Sequence, residues 1–524
     1  MLSTAMGTSE KIGSAGAGDP TDWIEHAARE HARRVFLRTP AGAELSYAEL
    51  REQSARFAAA LMRRGVSNGD RVAVRVEKSA EAIVLYVACL RMGAVYVPIN
   101  VAATAHELEH LLHDANPRLL VAQPSEADTL AALARSAGAA HVETLGAEGQ
   151  GSLTKLARRC APDAGISLMR DPRALAALVY TSGTTGRSKG AMLTRGNLAS
   201  NARTLAEAWR FTSEDVLLHI LPLFHVHGLF AAINTVLASA SSLLLLPRFT
   251  AAEVLRHLPQ VTTLMGVPTH YTRLLQDEGL NGAATAHMRL FVSGSAPLLA
   301  ETHREFFRRT GHMILERYGM TETLFNTSNP YEGPRVPGSV GPPLPGVSIR
   351  LTDRESGALI REPDVIGTLE LTGPNVFAGY FRDPEKTRAA FTADGWFKTG
   401  DLARIDRNGY VYIVGRAKDL VISGGYNVYP KEVESELDAL PGVTESAVFG
   451  VAHSDLGEAV TAAVVLAPEA VLSEAEIISA VRTRLSGYKV PKRVILIAEL
   501  PRNAMGKVQK DALRARYASL YQSS

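Results

Sequence analysis

Three elements follow closely on one another near the start of the chain. Arg71-Val-Ala-Val-Arg-Val76 reads as a strand, Ser79 to Met92 as a helix, and Ala94-Val-Tyr-Val-Pro98 as the next strand. Strands joined through a helix form βαβ units, and sheets built from such units are covered by helices. Leu119-Leu-Val-Ala122 and Leu243-Leu-Leu-Leu246 repeat the theme, and no fixed-period repeat runs along the chain. The predicted fold is therefore α/β.

With 524 residues and 46% hydrophobic content, the chain buries a large core and divides into two or more domains. The dividing point is expected near Gly415–Lys418, where strand Tyr410-Val-Tyr-Ile-Val414 ends. Beyond it come a second strand, Leu420-Val-Ile-Ser423, a Gly-Gly turn and a helix beginning near Pro430. The expected organisation is a disordered leader over 1–19, a large N-terminal domain of several covered sheets over 20–416, and a small α+β C-terminal domain over 417–524. A net charge of +2 gives no electrostatic case for nucleic acid or an anionic membrane. The basic cluster Arg29–Arg34 reads as a solvated helix face, and Ala82–Leu90 is too short to span a bilayer. Cys89 and Cys160 have no metal-ligand spacing and read as two buried thiols in a reducing compartment. The Gly-, Ala- and Ser-rich start lacks the apolar core of a signal peptide and the arginines of a transit peptide, so a cytoplasmic location is expected.

The chemistry centres on Tyr180-Thr-Ser-Gly-Thr-Thr-Gly-Arg-Ser-Lys-Gly190, which follows the apolar run Leu175-Ala-Ala-Leu-Val179. A loop this rich in Gly, Ser and Thr turns several N–H groups and hydroxyls toward one point, a nest for phosphate oxygens. Lys189 adds a mobile positive charge. The spacing is not that of a Walker loop.

That string resembles the phosphate loop of the adenylate-forming superfamily of acyl-CoA synthetases, peptide-synthetase adenylation domains and luciferases. Tyr318-Gly-Met-Thr-Glu322, Thr399-Gly-Asp401, Gly415-Arg-Ala-Lys-Asp419, Ser423-Gly-Gly425 and Pro501-Arg-Asn-Ala-Met-Gly-Lys507 follow in that family's order. The resemblance implies that a carboxylate attacks the α-phosphorus of ATP, giving an acyl-adenylate and pyrophosphate. A thiol then displaces AMP, while the small domain rotates between the half-reactions about a hinge at Lys418. No carrier-protein domain follows Lys510, so coenzyme A is the expected thiol, with a carrier supplied in trans as the alternative.

The resemblance also assigns roles. Thr181, Ser182, Gly183, Thr184, Thr185 and Lys189 take the phosphates, and Glu322 takes Mg²⁺, a hard cation that prefers oxygen ligands. Gly294, Ser295, Ala296 and Tyr318 frame the adenine, and Thr321 belongs with the ATP contacts. Asp401 and Arg416 take the ribose, and Lys507 bridges the attacking carboxylate and the α-phosphate. Gly424 and Gly425 line the thiol channel after rotation. In such enzymes the lysine matching Lys507 is a point for acetylation, which makes a lysine acetyltransferase and deacetylase candidate partners.

Three segments, Pro222–Leu229, His287–Pro297 and Thr321–Pro330, look like those of malonyl-CoA synthetases. A dicarboxylic acid brings a second carboxylate that needs a buried cation, and the resemblance assigns this to Arg289. His225 reads as a wall between acyl pocket and thiol channel, whereas His227 is structural or touches substrate. Two departures from the malonyl pattern, Val226 and Leu324-Phe325, fall near the acyl pocket. The bulk of Phe325 is expected to disfavour methylmalonate. The favoured reading is a Mg²⁺- and ATP-dependent malonate–CoA ligase. A ligase for methylmalonate, oxalate or a short monocarboxylate, and a carrier-loading enzyme, stand beside it.

Overall fold

The computed structural model describes residues 19–162, 165–181, 188–503 and 506–521. Two largely parallel sheets organise the N-terminal portion. The six-stranded one runs, in spatial order, His141–Thr144, Leu119–Ala122, Arg71–Arg75, Val95–Pro98, Leu175–Thr181 and Lys189–Thr194; only the last pair is antiparallel. The eight-stranded one runs Leu324–Ser328, Leu315–Met320, Leu290–Ser293, Thr263–Gly266, Val216–His219, Ser242–Leu245, Val35–Arg38 and Glu44–Ser46. It is parallel except at its two edges, where Leu324–Ser328 and Glu44–Ser46 pair antiparallel. The expected α/β class is what forms.

The helix Ala80–Met92 shows why the first βαβ unit is so apolar. Ser79 caps it by accepting from Ala82 N–H, and every residue from Ala82 to Met92 is buried. A helix that is hydrophobic all round must be covered all round. Its Tyr86 ring meets Tyr96 of the six-stranded sheet edge-on and Phe230, beyond a strand of the other sheet, also edge-on. The Tyr86 hydroxyl donates to Asn234 Oδ1 at 3.0 Å, so the helix joins the two sheets.

Asp19, assigned from sequence to the leader, is instead a buried structural residue. Its side chain accepts from Thr21 N–H at the start of helix Pro20–Glu30 and forms a buried ion pair with Arg195. A charge taken out of water requires such a partner. The helix ends at Glu30, so the cluster Arg29–Arg34 straddles its end, where Arg34 pairs with Glu214. Residues 1–18 of the expected leader lie outside the described residues.

A third, five-stranded antiparallel sheet ends the large portion with Phe397–Ile405 and Val411–Arg416, which pair so that Asp401 lies opposite Arg416. A short 3-10 turn, Ala417–Asp419, follows. The remaining chain forms its own sheet from Val421–Ser423, Tyr426–Val428, the long hairpin Val443–His453 with Gly457–Leu466, and Arg493–Leu496. The expected helix at Pro430 runs Pro430–Asp438 with proline in its first turn, where no N–H is needed. Val421, Val433, Leu437, Val448, Val460 and Val481 form a separate core here. Both cysteines are buried and free. No helix among the described residues is long and apolar enough to cross a membrane.

Candidate active site

Strands Leu175–Thr181 and Lys189–Thr194 form a hairpin in which Thr181 lies opposite Lys189 and Tyr180 opposite Gly190. The loop residues Ser182, Gly183, Thr184 and Thr185 lie outside the described residues. What the structure places is the base of that loop. The Tyr180 hydroxyl donates to Asp114 Oδ2 at 2.5 Å, and the Lys189 ammonium faces the ring of Tyr380, 5.2 Å from its centre.

Glu322 sits in the tight turn between Leu315–Met320 and Leu324–Ser328, beside part-buried Thr321. Gly319, in the strand that leads into this turn, lets the two strands come close: a Cβ there would fall 2.0 Å from the carbonyl oxygen of Leu324. The Glu322 side chain is buried and its Oε1 accepts from the Tyr380 hydroxyl at 3.1 Å. Burial raises its pKa, opposed by that hydrogen bond and by the charges of Arg416 and Lys189. One buried carboxylate beside a phosphate-type hairpin is the donor set Mg²⁺ uses, since that ion takes one or two carboxylates and completes its shell with phosphate and water.

Asp401 and Arg416 meet across the third sheet, with Arg416 Nε 2.8 Å from Asp401 Oδ1. The Tyr318 hydroxyl donates to the other oxygen of Asp401. Burial drives Tyr318 well above an ordinary phenol, and the Asp401 charge adds to the effect. Ser295 holds φ 73°, a left-handed conformation that an L residue rarely adopts outside functional turns. Gly294, Ser295 and Ala296 form the bend that follows strand Leu290–Ser293.

Lys507 comes from the C-terminal portion. Its N–H donates to Asn503 Oδ1 at 3.0 Å, and neighbouring Gly506 approaches Thr269 of the large portion so closely that an added Cβ would lie 3.0 Å from its Oγ1. Enclosure in the cleft lowers the pKa of Lys507, as does the Arg416 charge, while Asp401 and Asp419 oppose the shift. The side chain nevertheless keeps contact with solvent. Lys189, Glu322, Tyr318, Asp401, Arg416 and Lys507 are thus neighbours in one cleft.

Arg289 is not in that group. Its Nε and one terminal nitrogen donate to the two oxygens of Asp215 at 2.6 and 2.7 Å, and its remaining donors reach the carbonyls of Trp209 and Arg210. Phe211 and Tyr331 lie against its guanidinium at 5.2 Å each. Arg289 directly precedes strand Leu290–Ser293, and the carboxylate that its guanidinium meets here is that of Asp215.

Arg317 is a buried cation that the sequence reading did not single out. It lies in strand Leu315–Met320, is 3% exposed, and packs its guanidinium 3.6 Å from the centre of the Phe325 ring. Among the described residues no carboxylate forms an ion pair with it; one terminal nitrogen reaches Ser295 Oγ at 3.4 Å and its Nε has no partner. Burial pushes its pKa down to about 9, against the charge of Glu316. The only signal in the sequence was a charged pair, Glu316-Arg317, inside a strand that has to be covered.

His227 opens a π-helical turn, His227–Ile233, of the kind found at functional sites. Its Nδ1 lies 3.3 Å from Ser295 Oγ, its Nε2 has no partner among the described residues, and its ring meets Phe325 edge-on at 5.3 Å. Burial keeps it neutral. His225, surrounded by protein beside Phe224, is pushed down to about 4 by the same effect. Arg317, His227, Ser295 and Phe325 therefore form one contiguous cluster.

Gly424 and Gly425 are elsewhere. They form the exposed turn between Val421–Ser423 and Tyr426–Val428, with φ of 57° and 81°. Lys418 sits in the connecting turn, its ammonium 3.0 Å from Asp511.

Comparison with known proteins agrees with this geometry. The family model for AMP-binding enzymes matches residues 24–381, and that for their C-terminal domain matches residues 432–507. A malonate–CoA ligase of Arabidopsis thaliana is 35% identical, over 86% of this chain and 78% of its own length. A feruloyl-CoA synthase of Amycolatopsis is 36% identical over 91% of this chain and 94% of its own. The crystal structure of ATP-bound MatB from Rhodopseudomonas palustris is 53% identical, covers 96% of this chain and 99% of that one, and superposes with a TM-score of 0.93. Apo MatB, with the same identity and coverage, superposes at 0.82, so the arrangement here is nearer the ATP-bound one. With family models matching both portions and relatives aligned over most of their length, the chain belongs to the AMP-binding enzymes and is an AMP-forming acyl-CoA ligase.

Proposed function

We propose that this enzyme is a malonate–CoA ligase, which converts ATP, malonate and coenzyme A to malonyl-CoA, AMP and pyrophosphate through a malonyl-adenylate. The observation that carries the choice of acid is Arg317: a buried guanidinium that forms no carboxylate ion pair among the described residues and lies beside Ser295, which in turn touches His227. An unpaired buried cation is costly, and a substrate that supplies the missing carboxylate recovers that cost on binding. The malonate–CoA ligases among the relatives support the same substrate.

In this reading Lys507 holds the reacting carboxylate against the α-phosphate, two anions that otherwise repel, while Arg317 holds the other carboxylate. Tyr318 and the Gly294–Ala296 bend frame the adenine, and Asp401 turns from Arg416 and Tyr318 to accept from the ribose hydroxyls. Glu322 would hold Mg²⁺, which supplies charge neutralisation at the triphosphate. Glu322, Lys189 and the hairpin place that end of ATP.

Thioester formation then uses a second arrangement. The small portion turns about Lys418, Lys507 leaves, and the Gly424-Gly425 turn arrives. Two observations support this: the two glycines face solvent here, and the present arrangement is nearer to ATP-bound than to apo MatB. Coenzyme A passes the glycines, where no side chain blocks a backbone-to-pantetheine approach, and its thiol displaces AMP.

The test is AMP release with ATP, Mg²⁺ and coenzyme A across malonate, methylmalonate, oxalate, acetate and butyrate, with product masses measured. Malonate should lead by at least about two orders of magnitude over the monocarboxylates, because these leave Arg317 unpaired. Equal or faster turnover of butyrate would overturn the acid assignment while leaving the ligase chemistry intact.

A further inference from the structure

The segment Phe377–Phe381 belongs to none of the motifs above, yet it ties two of them together. Phe381 N–H donates to the Gly190 carbonyl at 2.8 Å, Met192 N–H to Gly379 at 3.0 Å, and Ala378 N–H to Met192 at 2.9 Å. The segment therefore runs antiparallel along Lys189–Thr194, with Tyr380 bridged to Ala191. At its other end Phe377 N–H donates to the carbonyl of Glu322 at 2.8 Å.

Tyr380 is held between them. Its N–H donates to Thr387 Oγ1 at 2.9 Å, and Phe377 packs edge-on against its ring at 4.9 Å. Its hydroxyl donates to Glu322 Oε1 at 3.1 Å, while its ring faces the Lys189 ammonium at 5.2 Å. One side chain thus touches both an anion and a cation that the primary sequence places far apart.

We propose that Tyr380 is a positioning residue for the triphosphate end of the site, its hydroxyl fixing the Glu322 carboxylate and its ring fixing the Lys189 ammonium. The inference rests on the proposed roles of Glu322 at Mg²⁺ and Lys189 at the phosphates. The phenol occupies one carboxylate oxygen and leaves the other for a hard cation, as groups hydrogen-bonded to metal ligands commonly do. Its electron-rich face attracts an ammonium without neutralising it. The hydrogen bond also favours the ionised form of a buried carboxylate, the form that holds a metal.

Tyr380→Phe removes the hydroxyl and keeps the ring; Tyr380→Leu removes both. Binding of Mn²⁺ in the presence of ATP, read by electron paramagnetic resonance, should weaken about tenfold in Tyr380→Phe. The Mg²⁺ concentration for half-maximal malonate-dependent pyrophosphate exchange should rise by a similar factor. Metal-free ATP should bind Tyr380→Phe as it binds the parent enzyme and Tyr380→Leu about threefold more weakly. Thioester formation from synthetic malonyl-adenylate and coenzyme A should be unchanged in both. Parent-like Mn²⁺ binding by Tyr380→Phe would overturn the inference, as would equal loss in both half-reactions with a lowered melting temperature. Glu322→Gln, measured alongside, separates the two levels: normal Mn²⁺ binding by that variant would remove the metal assignment itself.

Discussion

The Arg317 guanidinium lies 3.6 Å from the centre of the Phe325 ring, and its Nε has no hydrogen-bond partner among the described residues. A cation stacked on an aromatic face inside the protein is partly stabilised, and a carboxylate beside it would stabilise it further. Replacing Arg317 with methionine should lower kcat/KM for malonate about a thousandfold while lowering that for butyrate far less. Competition between the two acids, followed by product mass, measures the ratio directly. A ratio unchanged from the parent enzyme would place the second carboxylate elsewhere.

Arg289 should behave in the opposite way. Its bidentate pair with Asp215 has a carboxylate that is only 4% exposed at the side chain. Asp215→Ala leaves that guanidinium facing two carbonyls without its anion and should cost about 3 kcal/mol of stability. Urea unfolding reads the loss. The preference of the folded variant for malonate over butyrate should stay as it was.

Lys507 makes adenylation pH-dependent on the alkaline side. The ammonium is the active form, and its pKa lies below that of an ordinary lysine because of enclosure and the Arg416 charge. Adenylation is therefore full below that pKa and falls as pH rises through it, earlier than for a solvated lysine. Malonate-dependent pyrophosphate exchange against pH shows this limb, and Lys507→Arg should move it upward. Lys507→Gln should lose at least about two orders of magnitude in exchange yet still accept synthetic malonyl-adenylate. Because the side chain keeps solvent contact, an acetyltransferase acting on Lys507 would produce the same selective loss.

Gly424 and Gly425 should matter only to the second half-reaction. Their φ values of 57° and 81° are left-handed, and both face solvent in this arrangement. Gly425→Val adds strain of about 1–2 kcal/mol locally and puts a branched side chain where the pantetheine arm must pass. Pyrophosphate exchange should be near normal and thioester release strongly reduced. Loss of exchange to the same degree would argue against the two-arrangement mechanism.

Phe325 is buried among Trp209, His227 and Arg317. A substituent on the 2-carbon of malonate would meet this ring, so malonate should outrun methylmalonate. Phe325→Met, which nearly conserves volume but bends, should narrow the gap. Comparable rates for the two acids in the parent enzyme would remove this role.

Local pattern was enough for much of this protein. The apolar runs at Arg71, Ala94 and Leu119 could only be covered strands, and the helix Ala80–Met92 is apolar on every side because both sheets bear on it. The motif residues Lys189, Glu322, Tyr318, Asp401, Arg416 and Lys507 could be named because the strings that hold them resemble those of the adenylate-forming superfamily, and that resemblance implied their roles. Tertiary structure decided which charges are paired. The sequence reading took Arg289 alone for the second carboxylate, and nothing local says that Asp215 reaches it while Arg317 forms no ion pair among the described residues. Tyr380 was illegible for the same reason: its value lies in touching Glu322 and Lys189, which only the folded strands bring together. Backbone geometry and hydrophobic period are local and repeat along a sequence, whereas pairing of buried charge depends on which distant side chain arrives first within hydrogen-bonding distance.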